Sequence, residues 1–341
     1  MKKNPLVSLI ILNWNGKKWL KSCLPTVEKI SYKPLEVIVV NNGSTDDSAE
    51  FLRENFPKVK IVVIKKNVGY AKGNNIGVSK ARGKYVVLMN NDTKVTPNFL
   101  NPLVALLEKD PSVGAVQPQM RSLIHPKLLD SVVSYLTNTG FMYHFGYMKP
   151  WNKSIYNKTL YGFSIKGACF MIARKDYNYL DGLDEDFVCY VEETDLCNRI
   201  WLSGKRVVYE PKSIMYHWGG GDMQVMTKDE TTMYRSYRNR FLLFIKNASV
   251  PNLIKTLPIL FVFCEAFIIL TLIKGNFKRA LGAQLGIFSV PFMLPKMLKK
   301  RSYIQNKIRR VSDDEIYKYV VRNPRFSYYY HFFSNPEGYK D

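Results

Sequence analysis

Acidic residues are scarce in this chain: 28 Asp and Glu face 50 Lys and Arg, a formal charge of +22 over 341 residues. That imbalance implies an anionic partner, whether nucleic acid, anionic lipid or a phosphorylated substrate. Cysteine is also sparse. Five irregularly placed residues with no Cys-x-x-Cys pair exclude a disulfide scaffold and point to a reducing compartment. The N-terminal apolar run, Leu6–Leu12, lacks a small-residue cleavage site and ends in polar Asn13, so it reads as a buried strand and not a signal peptide. Internal repeats and low-complexity tracts are absent, and the composition weighs against a polytopic membrane protein. What is present, 46% apolar and 13% aromatic residues, supports a sizeable core and about two structural units.

The first 120 residues alternate strand-like runs (Leu6–Leu12, Val37–Val40, Val59–Ile64, Tyr85–Met89) with amphipathic stretches (Lys17–Lys29, Asp46–Asn55, Ala71–Lys80, Pro97–Lys109). Ser44 and Asp46 suit an N-cap, and Pro97 a first helical turn. Alternation of this kind predicts an α/β fold with a mostly parallel sheet flanked by helices, its ligands beyond the carboxyl ends of the strands. From Gln117 to about Phe163 no period is visible, which predicts a loop region. Further on, Ser164–Arg174 and Val207–Tyr209 read as strands, with the latter ending before Pro211. Glu192–Ser203 and Lys228–Asn247 read as helices. After Asn247 the apolar stretches Leu257–Ile273 and Leu281–Leu294 are interrupted by Pro258, Glu265, Gln284 and Pro291 and fall short of the roughly 20 residues of a spanning helix. From Lys246 onward 16 Lys and Arg stand against 6 Asp and Glu. The expectation is a catalytic unit at 1–246 and, at 247–341, a basic helical region lying on an anionic membrane surface.

Polar clusters follow the strands directly. VIVVNNGSTDDS places Asn41, Asn42, Gly43 and Ser44 at a strand exit, where amides and hydroxyls suit a base or ribose. NVGYAKGNNIGV offers glycines and Asn74 for close approach of a ligand, without the Walker lysine or the GxGxxG spacing. In VVLMNNDT, Asp92 follows a buried strand with Asn90 and Asn91 beside it. One carboxylate plus substrate phosphates is a common way to hold Mg²⁺ or Mn²⁺. Glu192, Glu193 and Asp195 cluster at a helix start, and their mutual repulsion raises at least one pKa, as a general base requires. His217 precedes three glycines. Within YRSYRNRFLLFIK, Arg238 and Arg240 suit diphosphate oxygens of donor or acceptor.

The order NWNG, VVNNGSTDDS, NxGYAxGNNxG, LMNNDT, KGACFMIARKD, GLDEDFxxYxEExDLCxR, YHWGGG resembles the family 2 inverting glycosyltransferases of the GT-A fold over roughly residues 5–245, in particular their bacterial rhamnosyltransferase-like branch. The resemblance implies that Asn13 and the Asn41–Asp46 turn contact a nucleoside and that Asn67 to Asn75, with Gly69 and Gly73, line its pyrophosphate. It puts Asp92 at the metal position of the DxD motif, with His217 contributing, and Glu193 at the base position beside Glu192. Asn41 and Asn90 depart from the acidic residues common at their positions. The implied partners are a dTDP- or UDP-linked sugar, with L-rhamnose the leading sugar, and a lipid-linked saccharide acceptor of cell-surface polysaccharide synthesis, at the cytoplasmic face of the cell membrane. A nucleic-acid-binding protein would interleave cations with aromatics over an exposed groove. Here much of the excess abuts apolar helices, which favours lipid over nucleic acid. A sugar-nucleotide pyrophosphorylase would need a richer phosphate loop than NWNGKKW.

Overall fold

A computed structural model describes residues 3–219 and 230–325. The β-branched runs form Val7–Asn13 (β1), Leu35–Asn42 (β2), Lys60–Ile64 (β3) and Tyr85–Asn90 (β4), a parallel sheet in the order β3-β2-β1-β4. Asn13 pairs in register with Asn41, and Leu12 with Asn90, so the polar strand ends emerge along one edge. The remaining strands are Thr93–Val95 (β5), Val113–Ser122 (β6), Leu129–Ser131 (β7), Val133–Leu136 (β8), Met142–Phe145 (β9), Leu160–Tyr161 (β10), Cys169–Ala173 (β11) and Arg206–His217 (β12). β11 runs antiparallel between β4 and β6, β12 joins β6 in parallel, and β8–β9 form a separate hairpin. Helices Lys17–Glu28, Ser48–Asn55, Tyr70–Ser79 and Leu100–Lys109 pack on the sheet, with an apolar cluster on each face.

Several elements differ from the sequence expectation. The region 117–163 contains five strands or strand ends (the end of β6, and β7 to β10) between its turns. β6 is buried along nearly its whole length, and its polar residues are satisfied inside: Gln117 Nε2 donates to Val132 O at 2.6 Å and Gln119 Nε2 to Tyr209 Oη at 2.9 Å. A strand buried on both faces carries no apolar–polar alternation to read. β12 continues past Pro211 to His217, because a register irregularity between Glu210 and Ile214 absorbs the residue that cannot donate. Pro97 lies in the turn before the Leu100–Lys109 helix. The expected helix start at Lys228 lies outside the described residues; the helix is described over Glu230–Asn247.

The tail differs most. Val250–Ile273 is one continuous helix of 24 residues, long and apolar enough to cross a membrane. Pro258 removes one backbone donor without ending it, and Glu265 accepts from Gln284 Nε2 at 3.1 Å. The second apolar stretch divides into Phe277–Phe288 and Val290–Tyr303, bent by 46°. These helices join the cluster that runs from Ile10 through Phe244 and Leu260 to Val320. Phe277–Phe288 lies directly against Glu230–Asn247. A Cβ at Gly282 would sit 2.3 Å from Glu230 O, and one at Gly286 2.4 Å from Tyr234 O. Backbone cannot yield as a side-chain tip does. Gly286→Val is therefore expected to lower the unfolding free energy by about 1–3 kcal/mol, measured by urea denaturation in detergent. Unchanged stability would show that the two helices do not meet so closely.

Candidate active site

The carboxyl ends of β1, β2 and β4 open into a cleft of about 820 Å³. Asn42, Asn67, Gly69, Asn91, Asp92, Glu192, Glu193 and His217 all line it. Asn42 Nδ2 donates to Asn67 Oδ1 at 3.0 Å and Asn42 Oδ1 accepts from Val68 N at 3.0 Å, so paired asparagines pin the loop after β3. Gly43 needs its positive φ of 71°, and a Cβ there would strike Asn67 N at 2.2 Å.

Other expected donor contacts lie behind the cleft wall. Asn13 and Asn41 are buried; Asn13 Nδ2 donates to Asn41 Oδ1 at 3.2 Å, and Asn91 Nδ2 to Asn13 Oδ1 at 2.8 Å. Ser44 Oγ accepts from Asn15 N at 3.0 Å. Asp46 accepts from Lys17 N at 3.1 Å and Ser48 N at 3.2 Å, so it ties two helix starts together. Gly73 packs against Leu12, and Asn74 donates to Tyr70 O at 3.0 Å. These residues build the frame behind the cleft.

Asp92 and His217 meet. His217 Nε2 lies 3.4 Å from Asp92 Oδ1, a buried oxygen with no hydrogen-bond partner, while His217 Nδ1 is 2.9 Å from Asp130 Oδ2. Lys166 Nζ donates to both oxygens of Asp130 at 2.9 and 2.8 Å. Burial works against charge on His217, but the Asp130 carboxylate outweighs it and raises the imidazole to about 9. Burial likewise opposes charge on Asp130, whose carboxyl Lys166 and His217 nonetheless hold well below its usual range. Among the described residues no group of three His, Cys, Asp or Glu is arranged around a metal. The Asp92 oxygen, with no hydrogen-bond partner and His217 3.4 Å away, fits a hard divalent cation, which Asp92 and a neutral His217 would hold.

Opposite stands the Glu192–Leu202 helix. Burial, then the neighbouring Glu193 charge, pushes Glu192 well above the usual carboxylate range. Half-buried Glu193 is pushed by desolvation up to about 7, moderated by backbone donors and Lys166. Gly167 keeps the space before it open, since a Cβ there would lie 3.7 Å from Glu193 Cδ. A carboxylate that titrates near 7 beside open space can take a proton from a bound hydroxyl. Asp195, expected among the catalytic acids, is fully buried and spent on structure. Its Oδ2 accepts from Arg199 Nη2 at 2.6 Å and Lys246 Nζ at 2.7 Å, and its Oδ1 from Asn247 Nδ2 at 2.8 Å.

The segment before this helix is strained. Val188 (φ 62°, ψ −60°) centres a γ-turn closed by Cys189 N donating to Phe187 O at 2.6 Å, and Tyr190 and Val191 also have positive φ. Such conformations cost about 1–3 kcal/mol each, and β-branched residues seldom adopt them.

Arg238 and Arg240 do not reach the cleft. Arg238 Nη2 donates to Asp186 O at 2.9 Å, and Arg240 lies over the Phe141 ring at 4.1 Å. Arg235, from the same basic stripe, lines the cleft instead, with Lys166, Trp14, Trp19 and Tyr70. The stripe was legible, but a charge run does not say which face is consumed internally. Asp130 carried no motif, and Lys166 stood only as the first residue of KGACFMIARKD with no role attached to it.

Residues 8–179, half of the chain, match the model described as Glycosyl transferase family 2. The acid helix and His217 lie beyond the matched segment. An uncharacterized glycosyltransferase of Haemophilus influenzae is 30% identical over 127 residues, 36% of this chain and 39% of the relative's length. The N-acetylglucosaminyl-diphospho-decaprenol L-rhamnosyltransferase of Mycobacterium tuberculosis is 21% identical over 237 residues, 62% of this chain and 76% of that protein. Among solved structures, S. aureus TarS in complex with UDP-GlcNAc has a TM-score of 0.58 at 16% identity, covering 92% of this chain and 89% of that one. The mannosyltransferase PcManGT from Pyrobaculum calidifontis, in complex with GDP-Man and Mn²⁺, has a TM-score of 0.53 at 17% identity, covering 89% and 86%. At such identities the likeness shows a shared GT-A-like fold.

Proposed function

Since the chain belongs to glycosyl transferase family 2, we propose that it moves a sugar from a nucleoside-diphosphate sugar to an acceptor hydroxyl with inversion at the anomeric carbon. The observation that carries this reading is that Glu193, with its raised carboxyl, and Asp92, whose buried oxygen meets only the His217 imidazole at 3.4 Å, line one cleft. Glu193 takes the acceptor proton as that oxygen bonds to the anomeric carbon and the bond to the nucleoside diphosphate breaks. Lys166 and Arg235 contribute positive charge to the same wall. When bound, Mg²⁺ or Mn²⁺ at Asp92 and His217 supplies further charge for the departing diphosphate. Asn42 and Asn67 place the donor's nucleoside and diphosphate. The donor is a dTDP- or UDP-linked sugar, with L-rhamnose favoured by the Mycobacterium tuberculosis relative, whose name includes a decaprenol-linked acceptor.

By the same reading, residues 1–246 carry the chemistry and 247–341 hold the enzyme at the cytoplasmic face of the cell membrane, facing a lipid-linked saccharide. The support is an apolar face spread over three helices: Ile254, Val262, Ile273, Phe277, Phe288 and Phe292 are all exposed.

A thermal-shift and hydrolysis screen of sugar nucleotides with Mn²⁺ identifies the donor, and no stabilisation by any of them would sink the reading. Glu193→Gln is expected to lower kcat by about 10²–10⁴ while donor affinity holds. Because a base must be ionised, wild-type kcat should fall as pH drops below about 7, and a flat profile to pH 5 would reject Glu193. Asp92→Asn should abolish the gain in donor affinity that Mn²⁺ gives the wild type, measured by calorimetry; persistence of that gain would place the cation elsewhere. Full-length protein made in bacteria should stay with membranes at high salt and leave with detergent. Full recovery in the soluble fraction would refute the membrane reading.

A further inference from the structure

We propose that Asn239, with Arg238, is a positioning residue for this reaction: it holds the strained segment that delivers Glu192 and Glu193 to the cleft. The inference rests on the reading of Glu193 as base. Asn239 is fully buried, and its Nδ2 lies 2.9 Å from Phe187 O, 3.1 Å from Cys189 O and 2.8 Å from Tyr190 O. Two amide hydrogens are thus shared among three carbonyls. The intervening carbonyl, Val188 O, accepts from Tyr70 N at 3.0 Å and Ala71 N at 3.3 Å at the start of the Tyr70–Ser79 helix. Arg238 takes the next one back, Asp186 O, and its Nε donates to Asn239 Oδ1 at 3.0 Å.

Five consecutive carbonyls, 186 to 190, are therefore bound by groups from two other helices. Val188, Tyr190 and Val191 resist positive φ, so this stretch left alone relaxes toward ordinary backbone. Relaxation swings the start of the Glu192–Leu202 helix, since Val191 is the residue that caps it. Arg238 and Asn239 both come from the helix on which the tail packs, so the clamp also links the tail to the base.

The test uses the full-length protein and two independent readouts. Asn239→Asp keeps the shape but offers carbonyls no donor. Cys189 lies within the clamped segment and is half-buried, whereas the other four cysteines are buried. Release of the clamp is expected to speed labelling of Cys189 by a thiol reagent by about tenfold or more, followed by peptide mass spectrometry. This readout needs no turnover. In transfer assays kcat should fall by about 100-fold while donor affinity stays within a few-fold, because Asn42, Asn67 and Asp92 stand on other elements.

The acid limb should also move down from about 7. Glu193 faces Glu192 and Cys197 of its own helix, Lys166 ahead of β11, Tyr70, and Cys189 of the clamped segment. Admitted water relieves the desolvation that raises it. If Asn239→Asp folds poorly, Arg238→Gln removes only the outer contact and should give the same changes at smaller amplitude. Unchanged labelling in a folded variant overturns the proposal. So does a kcat loss matched by an equal loss of donor affinity with the acid limb unmoved. A wild type that transfers no sugar overturns the parent reading instead, and labelling still decides the clamp.

Discussion

The buried carboxylate of Asp195 is the interaction on which the rest of the site depends. An isolated charge at that depth is untenable, and here it is met by Arg199 on its own helix and by Lys246 and Asn247 from the helix behind. Lys246 Nζ reaches on to Asp184 Oδ2 at 2.6 Å, and Asp184 is also held by Lys300 of the tail. One chain of ion pairs thus joins the acid helix, the segment before it and the last part of the protein. Removing a link leaves a charge buried without a partner, which costs more than the pair contributes when whole. The same network explains how three acids share one helix start. Asp195 is held from below by cations and an amide, while burial, joined at Glu192 by the charges of Glu193 and Asp195, raises the two carboxyls that line the cleft.

The opposite wall is made by strand register. With Asn13 level with Asn41 and Leu12 level with Asn90, every polar strand exit lands on one edge, and amide side chains bond one another across neighbouring strands. Amide-to-amide bonding suits this place because it satisfies buried donors without adding charge where a diphosphate is expected. β12 arrives from the other half of the sheet and delivers His217 to Asp92. Pairing with Thr93 fixes the strand's end, so the bulge at Pro211 bends it without losing that contact.

The alternation of strands and helices was legible in the sequence because short β-branched runs and amphipathic stretches succeed one another with different periods. Asp92 and Glu193 stood out in the sequence because a carboxylate at a strand exit or helix start is cheap only in certain places, and both line the cleft. Asp195 and Arg238 were misread for a common reason: charge and spacing do not reveal whether a partner waits in a distant segment. Asp195 finds Lys246 51 residues away, and Arg238 finds the Asp186 carbonyl 52 residues away. The strands between 117 and 163 were hidden because buried glutamines imitate a loop. Asn239 looked like any polar residue in a basic stripe. Only the coordinates show three carbonyls converging on it.

Part of the tail's charge is spent inside the protein. Lys296, Lys299, Lys300 and Arg301 form an evident cationic cluster in the sequence, yet Lys296 and Lys300 bond Asp186, Lys300 also bonds Asp184, and Arg301 Nη1 donates to Ile245 O and Ala248 O. Lys300 and Arg301, engaged in this way, have little left for a lipid headgroup, whereas Lys296 keeps 60% of its side chain exposed. Each free cation near an anionic surface contributes about 1 kcal/mol, and salt screens it. An exposed Phe or Ile moved from water into an acyl layer contributes about 1.5–3 kcal/mol. Phe292 is 87% exposed, Ile273 76%, and Ile254 and Phe277 68% each. On the proposed membrane reading, attachment is therefore chiefly apolar. On the same reading, the helix that would carry Phe292 to the lipid also brings Lys296 and Lys300 to Asp186 and Asp184, ahead of the acid helix.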